Sequence, residues 1–269
     1  DAHSNSGLNK ILSITVPAYK VEDYLKQCLD SFLAEDILDD LEILIIDDGS
    51  PDHSKVIAET YQTKFPHTFR LISKENGGHG SAVNRGIREA SGKYFKVVDG
   101  DDWVDSRALA NLVHWLKQTD SDLVVSNYLW VYEKTGQKRP EMKEPFAGVQ
   151  YYSEYRFDEI CSKLYIKMHA ITIKTSILKQ NHICLDEGCY YVDTEYITYP
   201  IPYIQTIFFI PDCVYMYRIG LNGQSVNIKS MQKNINDHLR VVRSLIEFYL
   251  NIYTETASVD NQRRFYIER

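Results

Sequence analysis

The segment LEILIIDDGS, residues 41–50, is the strongest indicator of the fold, because an unbroken apolar run ends directly in a polar turn. A short aliphatic run of this kind is typical of a strand buried on both faces, as in a parallel sheet covered by helices. The segment YFKVVDGDD, residues 94–102, repeats the arrangement. Each apolar run therefore predicts a strand with acidic side chains at its carboxyl end.

The same alternation extends through the first half of the chain. The sequence predicts strands at residues 11–16, 41–46, 69–73, 94–98 and 122–126, and helices at residues 21–35, 52–65, 81–90 and 106–117. Short strands separated by helices are typical of βαβ units, so the expected fold class is α/β with a mostly parallel sheet flanked by helices. Polar clusters at residues 19–20, 47–50, 74–80 and 99–102 follow these strands. We expect them to meet at one edge of the sheet, where such folds bind ligands.

The alternation stops after residue 126. Residues 134–145 are polar and loop-like, and the following residues predict a short helix near 153–161, a strand near 169–174 and aromatic-rich strands up to Arg218. A helical pattern then covers residues 232–251. The second half therefore predicts a smaller lobe built onto the same sheet, followed by a C-terminal helix.

Composition limits the classes of function. The 269 residues include 30 Lys and Arg against 37 Asp and Glu, which gives a net charge of −7 and argues against a nucleic-acid partner. Five cysteines without a CxxC pair favour reduced thiols and a cytoplasmic location. The longest uncharged run, residues 196–211, contains three prolines, so we expect no transmembrane segment. Peripheral membrane association and homo-oligomers stay open. Residues 1–7 (DAHSNSG) form no part of the predicted fold.

Three polar clusters carry residue types suited to chemistry. The carboxylates of residues 99–102 suit a hard divalent cation, although an ordinary Asx turn would use the same residues. Asp48 could accept hydrogen bonds from a base or ribose, or belong to a simple Asp-Gly turn. NGGHGSA, residues 76–82, places three glycines before a helix, where backbone N–H groups suit a phosphate or sugar hydroxyl. It lacks the ending of a P-loop.

Taken together and in order, four motifs resemble the family 2 glycosyltransferases with a GT-A fold. They are PAYK (17–20), IIDDGSPD (45–52), ENGGHGSAVNRGI (75–87) and VVDGDDWVD (97–105). More loosely, YVDTE (191–195) and YRIGLNGQSV (217–226) resemble bacterial members that build surface polysaccharide or glycoprotein glycans.

The resemblance implies roles for particular residues. Asp48 would bind the nucleotide base, with Pro17 and Tyr19 as the wall of its pocket. Asp99 and Asp101 would form the DxD pair, with the ribose, diphosphate and a Mn²⁺ or Mg²⁺ ion as their partners. Asp193 would be the general base, with Glu195 as the reserve candidate. The other residues expected at the donor site are Asn76, Gly77, Gly78, Asn84, Arg85, Gly100, His169, Arg218 and Ser225. Of these, Arg218 and Ser225 are expected on a loop that closes over the diphosphate.

Two positions depart from the family pattern. Lys20 stands where the family usually has Asn, and Val83 stands where it usually has Arg. The second departure predicts that a diphosphate contact has moved to Lys74, Arg85 or Arg88.

The implied function is transfer of a hexose from a UDP-sugar to a hydroxyl of a glycan or glycoprotein, with UDP-glucose or UDP-galactose favoured as the donor. The reaction would depend on a metal ion and invert the anomeric carbon, giving a β-linkage. The expected division is a nucleotide-sugar-binding half at 8–126, an acceptor-binding half with the base at 127–228, and a C-terminal helical segment at 229–269. Two alternatives remain, a nucleotide-binding module without turnover and a sugar-phosphate nucleotidyltransferase.

Overall fold

The structure is a computed structural model that describes residues 9–34, 36–142, 148–221, 224–225, 228–255 and 261–268. Its first half alternates short strands with helices, in the order β1 (Leu12–Ala18), α1 (Leu25–Asp30), β2 (Leu41–Asp47), α2 (Ser54–Lys64), β3 (Phe69–Ser73), α3 (His79–Glu89), β4 (Tyr94–Val97), β5 (Trp103–Val104) and α4 (Ser106–Gln118).

The second half mixes short helices with strands of very different length. Its elements are β6 (Leu123–Tyr132), β7 (Lys138–Pro140), β8 (Glu154–Arg156), α5 (Phe157–Ile160), β9 (Ile171–Lys174), α6 (Thr175–Gln180), α7 (Asp193–Thr198), β10 (Thr206–Ile219), α8 (Ile228–Lys233), α9 (Ile235–Glu255) and α10 (Asn261–Glu268). Among the described residues, no helix combines the length and the apolar character that crossing a bilayer requires.

The described strands form one sheet in the order β3-β2-β1-β4-β9-β6-β10-β5, with β7 on β6 and β8 on β10. The first four strands in this order, β3, β2, β1 and β4, pair in parallel, which confirms the parallel sheet predicted for the first half of the chain. The sheet then becomes mixed, because β9 runs antiparallel to both β4 and β6 while β10 is parallel to β6. The predicted boundary at 126/127 lies inside β6, so the division into halves stays a prediction.

Burial explains why the first strands form the centre of the sheet. All seven residues of β1 are buried, as are all residues of β2 except the half-buried Glu42. Helices therefore cover both faces, as the aliphatic runs predict. The carboxylate of Glu42, near the start of β2, accepts hydrogen bonds from the Ser13 hydroxyl at 2.8 Å and the Ser91 hydroxyl at 2.6 Å, which satisfies this charged group.

Local contacts explain the main differences from the predicted elements. The helix expected at residues 21–35 shortens to α1, because the N–H of Val21 donates to the Ser54 hydroxyl and the N–H of Glu22 donates to Asp52. These bonds hold the chain in a turn before the helix. In the region expected to be helical near 153–161, residues 154–156 instead pair with β10 as a strand.

Parts of other predictions fall outside the described residues. These are residue 35 of the first predicted helix, residues 143–145 of the polar stretch, residues 222, 223 and 226 of YRIGLNGQSV, and residues 1–7. The described part of the polar stretch contains β7, which pairs with β6.

Candidate active site

A cleft of about 560 Å³ opens at the carboxyl ends of the parallel strands. The polar clusters that follow β1, β2 and β4 all reach it, as the parallel arrangement predicts. Residues 188–193, which lead into α7, line the cleft as well. Ten of the predicted site residues line it, namely Pro17, Tyr19, Asp48, Asn76, Gly78, Asp99, Asp101, His169, Asp193 and Ser225.

Asp48 organises the glycine-rich turn beside the cleft. Its carboxylate accepts hydrogen bonds from the backbone N–H groups of Gly77 and Gly78, both at 2.9 Å, and from the Lys74 ammonium group at 2.7 Å. Gly78 has a φ of +87°, a conformation that glycine adopts without steric cost. Asp48 is therefore buried among protein donors at the cleft wall, and direct contact with a nucleotide base stays a prediction.

Asp99 and Asp101 follow β4 and have different electrostatic surroundings. The Asp99 carboxylate lies 2.6 Å from Nε2 of His79. Burial lowers the pKa of His79, but the attraction of Asp99 outweighs this effect and raises the pKa to about 9. Burial, and then repulsion from Asp99, raise the pKa of Asp101 to about 6. The pair therefore concentrates negative charge that a cation would stabilise.

The residues at this turn also offer donors that fit a divalent cation. Ligand atoms of Asp99, Asp102 and His169 lie within 4.8 Å of one another. Burial lowers the pKa of His169 to about 4, so its ring is neutral near pH 7, and its Nδ1 has no hydrogen-bond partner among the described residues. The carboxylate oxygens suit Mn²⁺ or Mg²⁺, and the neutral imidazole adds a nitrogen donor beside them. Asp102 already accepts bonds from the Tyr215 hydroxyl and the N–H of Arg218, so it serves first as a structural anchor.

Arg218 differs from its predicted role. It lies in β10, is only 5% exposed, and does not line the cleft. Its guanidinium group donates to the carbonyl oxygen of Asp101 at 2.8 Å and to Glu133 at 2.6 Å. The expectation of a loop residue above the diphosphate is wrong, because the end of β10 passes behind the acidic turn and points the side chain into it.

Four further predicted residues also lie outside the cleft lining. Asn84 on α3 donates to the carbonyl of Leu185 and accepts from its N–H, so it holds the segment that leads towards α7. Arg85 pairs with Glu89 one turn along α3. Gly77 and Gly100 support the cleft through their backbone N–H groups, which donate to Asp48 and to the carbonyl of Pro17.

The two acidic candidates on α7 occupy different environments. Asp193 is the first residue of the helix, is exposed, and lines the cleft. Glu195 is fully buried, and its Oε2 accepts a bond from the N–H of Asp186 at 2.7 Å. Burial raises the pKa of Glu195 to about 7. Among these two, only Asp193 reaches the cleft.

Several cleft residues were missed by sequence reasoning. His79 stood inside the NGGHG motif, so its position was visible, but its pairing with Asp99 was not. Tyr190, Tyr191 and Tyr217 line the cleft; Tyr191 and Tyr217 open the motifs YVDTE and YRIGLNGQSV, but no role was predicted for the three rings. Tyr217 stacks on the His169 ring with centroids 4.3 Å apart.

A buried lysine supports this aromatic wall. Lys96 on β4 is fully buried, and its ammonium group donates to the carbonyl of His169 at 3.0 Å. Burial lowers the pKa of Lys96 to about 7. The side chain therefore fixes the backbone of the turn that carries His169.

Comparisons with known proteins agree with this geometry. The family described as "Glycosyl transferase family 2" matches residues 13–182. The uncharacterized glycosyltransferase EpsJ of Bacillus subtilis is 40% identical over 129 residues, which cover 48% of this chain and 36% of that protein. The minor teichoic acid biosynthesis protein GgaB of Bacillus subtilis is 26% identical over 257 residues, covering 93% of this chain and 27% of that protein. The chain thus spans about a third of the length of these relatives.

A solved structure shows the same fold over nearly the whole chain. The crystal structure of S. aureus TarS 1-349 in complex with UDP-GlcNAc superimposes with a TM-score of 0.72 at 18% identity, covering 94% of this chain and 69% of that one. Its fold is the GT-A fold of glycosyltransferases. With a family match over more than half of its length, a shared fold and a carboxylate-lined cleft at the expected sheet edge, the chain belongs to glycosyl transferase family 2.

Proposed function

We propose that this chain transfers a hexose from a UDP-sugar to a hydroxyl group of a glycan, with inversion at the anomeric carbon. One observation carries the proposal: Asp101, at the end of a parallel strand, and Asp193, at the start of α7, line the same cleft. A direct displacement needs a charged group near the leaving diphosphate and a base near the acceptor hydroxyl. These two residues, on separate elements, supply both.

The leaving-group side is formed by the acidic turn. Asp99 and Asp101 would hold a Mn²⁺ or Mg²⁺ ion, with His169 close to Asp99 as a further donor. Such an ion neutralises the charge that develops on a departing diphosphate. The chain's own contribution is to hold the turn rigidly, since Arg218 binds the Asp101 carbonyl and Tyr215 binds Asp102.

The acceptor side is formed by residues 188–193 and the aromatic wall. Asp193 would accept the proton of the attacking hydroxyl, which makes that oxygen a stronger nucleophile. Tyr190, Tyr191 and Tyr217 line the same space. Their rings give sugar rings an apolar surface and their hydroxyls give polar contacts, so they would orient the acceptor and exclude water.

The relatives indicate the class of acceptor. GgaB is named as a teichoic acid biosynthesis protein, and the TarS structure contains UDP-GlcNAc. We therefore place the acceptor among bacterial glycans such as teichoic acid and the donor among UDP-sugars. The five scattered cysteines of the sequence include no CxxC pair, which supports a reducing, cytoplasmic location.

The test measures UDP release from UDP-glucose, UDP-galactose and UDP-N-acetylglucosamine, with Mn²⁺ or EDTA, and with or without a teichoic acid acceptor. Acceptor-stimulated, EDTA-sensitive UDP release supports the proposal. UDP binding without release would instead indicate a nucleotide-binding module. Release of pyrophosphate from UTP and a sugar phosphate would indicate a nucleotidyltransferase. Proton NMR of the new anomeric signal distinguishes a β-linked product from an α-linked one.

A further inference from the structure

Helix α9 carries a stripe of large apolar side chains that are about half exposed to solvent. We define the apolar stripe as Ile235, Leu239, Val242, Ile246 and Leu250, which are between 46% and 61% exposed. Their spacing of four, three, four and four residues keeps them on one side of the helix. At 1.5 Å per residue, the stripe is roughly 22 Å long.

The stripe is separate from the side of α9 that packs on the protein. Val241 and Ile252 are buried, and Leu245 packs against the core. Phe248 packs on Tyr199 with ring centroids 4.7 Å apart. The apolar surface of α9 therefore extends beyond the residues that pack on the rest of the protein. A contiguous exposed apolar surface of this kind marks an interaction site.

The charges beside the stripe indicate what covers it. Across α8 and α9 up to residue 251, the exposed charged side chains are Lys229, Lys233, Arg240, Arg243 and Glu247. Four of these five are basic, although the whole chain carries a net charge of −7. Two of the four already form ion pairs, Arg240 with Asp186 at 3.6 Å and Arg243 with Glu247 at 2.9 Å, so part of this positive charge is offset within the chain. An apolar stripe bordered by basic residues suits a surface that is apolar within and anionic at its boundary.

A second copy of the chain fits these charges poorly. In a two-fold contact made stripe to stripe, the middle of the stripe lies on the symmetry axis. Val242 and Arg243 occupy that middle, so each Arg243 would face its counterpart. Like charges in such a position oppose association.

From these observations we infer that α9 lies in the surface of an anionic lipid bilayer, with the apolar stripe among the acyl chains and the basic residues at the headgroups. Two contacts connect this helix to the cleft. Tyr191 stacks on His238 with ring centroids 4.0 Å apart, and the N–H of Tyr190 donates to Asp237 at 3.2 Å. A bilayer on the stripe would therefore place residues 190–191 of the cleft rim near the lipid surface.

The experiment measures co-sedimentation of the purified chain with vesicles of phosphatidylcholine containing about one third phosphatidylglycerol, and with pure phosphatidylcholine. The wild-type chain should bind the anionic vesicles and bind the neutral ones more weakly. Leu239→Gln/Ile246→Gln should reduce binding to anionic vesicles by at least about tenfold. Lys233→Gln/Arg243→Gln should reduce the preference for anionic over neutral vesicles.

The matched control is Val56→Gln/Tyr165→Gln, which changes two exposed apolar residues outside the stripe and should bind like the wild type. All four replaced apolar residues are exposed, so urea unfolding should give similar stabilities for these variants. Wild-type binding that Leu239→Gln/Ile246→Gln does not weaken would overturn the inference. Absence of wild-type binding to the anionic vesicles would also overturn it. The same holds if the wild-type chain does not bind vesicles but forms a dimer that Leu239→Gln/Ile246→Gln dissociates. Vesicle binding is measured without a donor or acceptor, so its result is independent of the proposed reaction.

Discussion

The Nε–H group of Arg218 donates to the main-chain carbonyl of Asp101 over 2.8 Å, so the end of β10 fixes the turn that carries the cleft carboxylates. The guanidinium group lies between the rings of Tyr24 and Trp103, at 4.8 and 4.5 Å from their centroids. Planar stacking combined with hydrogen bonds is a use of arginine that lysine cannot reproduce. Arg218 therefore links strands from the two parts of the sheet behind the cleft.

Replacing Arg218 by Met should destabilise the fold. The change leaves the half-buried carbonyl of Asp101 without this donor and removes the ion pair with Glu133. We expect the free energy of unfolding, measured by urea denaturation, to fall by about 3 kcal/mol. Arg243→Met is the matched control, because Arg243 forms an exposed ion pair with Glu247, and its loss should change stability by less than about 0.5 kcal/mol. Equal stabilities for the two variants would contradict the role assigned to Arg218.

Asp101→Asn should remove metal-stimulated transfer without unfolding the protein. Partial burial and repulsion from Asp99 raise the pKa of this carboxyl to about 6, so its loss relieves repulsion in the metal-free chain. We expect Mn²⁺-dependent transfer to fall by at least ~10²-fold, while the free energy of unfolding stays the same or rises. Calorimetric titration with Mn²⁺ should show weakened binding. Glu75→Gln changes an exposed carboxylate that is not part of the cleft lining and serves as the control. Full metal stimulation in Asp101→Asn would contradict the assignment.

Asp193→Asn should separate turnover from nucleotide binding. The amide cannot accept the acceptor proton, so kcat should fall by at least ~10²-fold while the affinity for UDP barely changes. Glu195→Gln is the matched comparison, because Glu195 is buried off the cleft and should keep most of the activity. Steady-state kinetics and calorimetry with UDP check both. If Glu195→Gln lost turnover and Asp193→Asn kept it, the roles would be reversed.

Glu195 should also make stability depend on pH. Burial raises its pKa in the folded chain to about 7 from an ordinary value of 4.5. Between these values the native state holds a proton that the unfolded state has lost, so this contribution to stability is lost as pH rises through about 7. Urea denaturation between pH 5 and 8 should show Glu195→Gln gaining roughly 1–3 kcal/mol relative to the wild type. A constant difference across that range would show that Glu195 does not titrate on unfolding.

The sequence predicted the first half of the fold well because its signals are local. Apolar runs identified the strands that became β1 to β4, and the polar residues after them lie together at the cleft. The spacing of the apolar residues and the parallel direction of the strands are enough to predict that these polar residues meet, since parallel strands present their carboxyl ends at one edge of the sheet. The positions of Asp99, Asp101 and Asp193 in one cleft follow from the same reasoning and the family motifs.

The missed features depend on contacts between distant parts of the chain. Arg218 and the carboxylate of Asp102 are 116 positions apart, and two register shifts in β10 precede Arg218. Asn84 holds Leu185 from 101 positions away. No periodicity in the sequence specifies where such side chains point, so the sequence alone could not place Arg218 on a buried strand or Asn84 outside the cleft lining. The β9 strand, which makes the sheet mixed, is also too short for its direction to be predicted from the sequence.

The double pairing of β9 has a consequence for exchanging parts between relatives. Because β9 joins β4 on one side and β6 on the other, a hinge between the two halves would have to break hydrogen bonds inside the sheet. A chimaera with a junction near residue 126 would divide β6. It would also take β4 and β9, which are hydrogen-bonded neighbours in the sheet, from different parents. Transplanting acceptor preference should therefore succeed when single cleft side chains such as Tyr190 or Tyr217 are exchanged, and fail when whole halves are recombined.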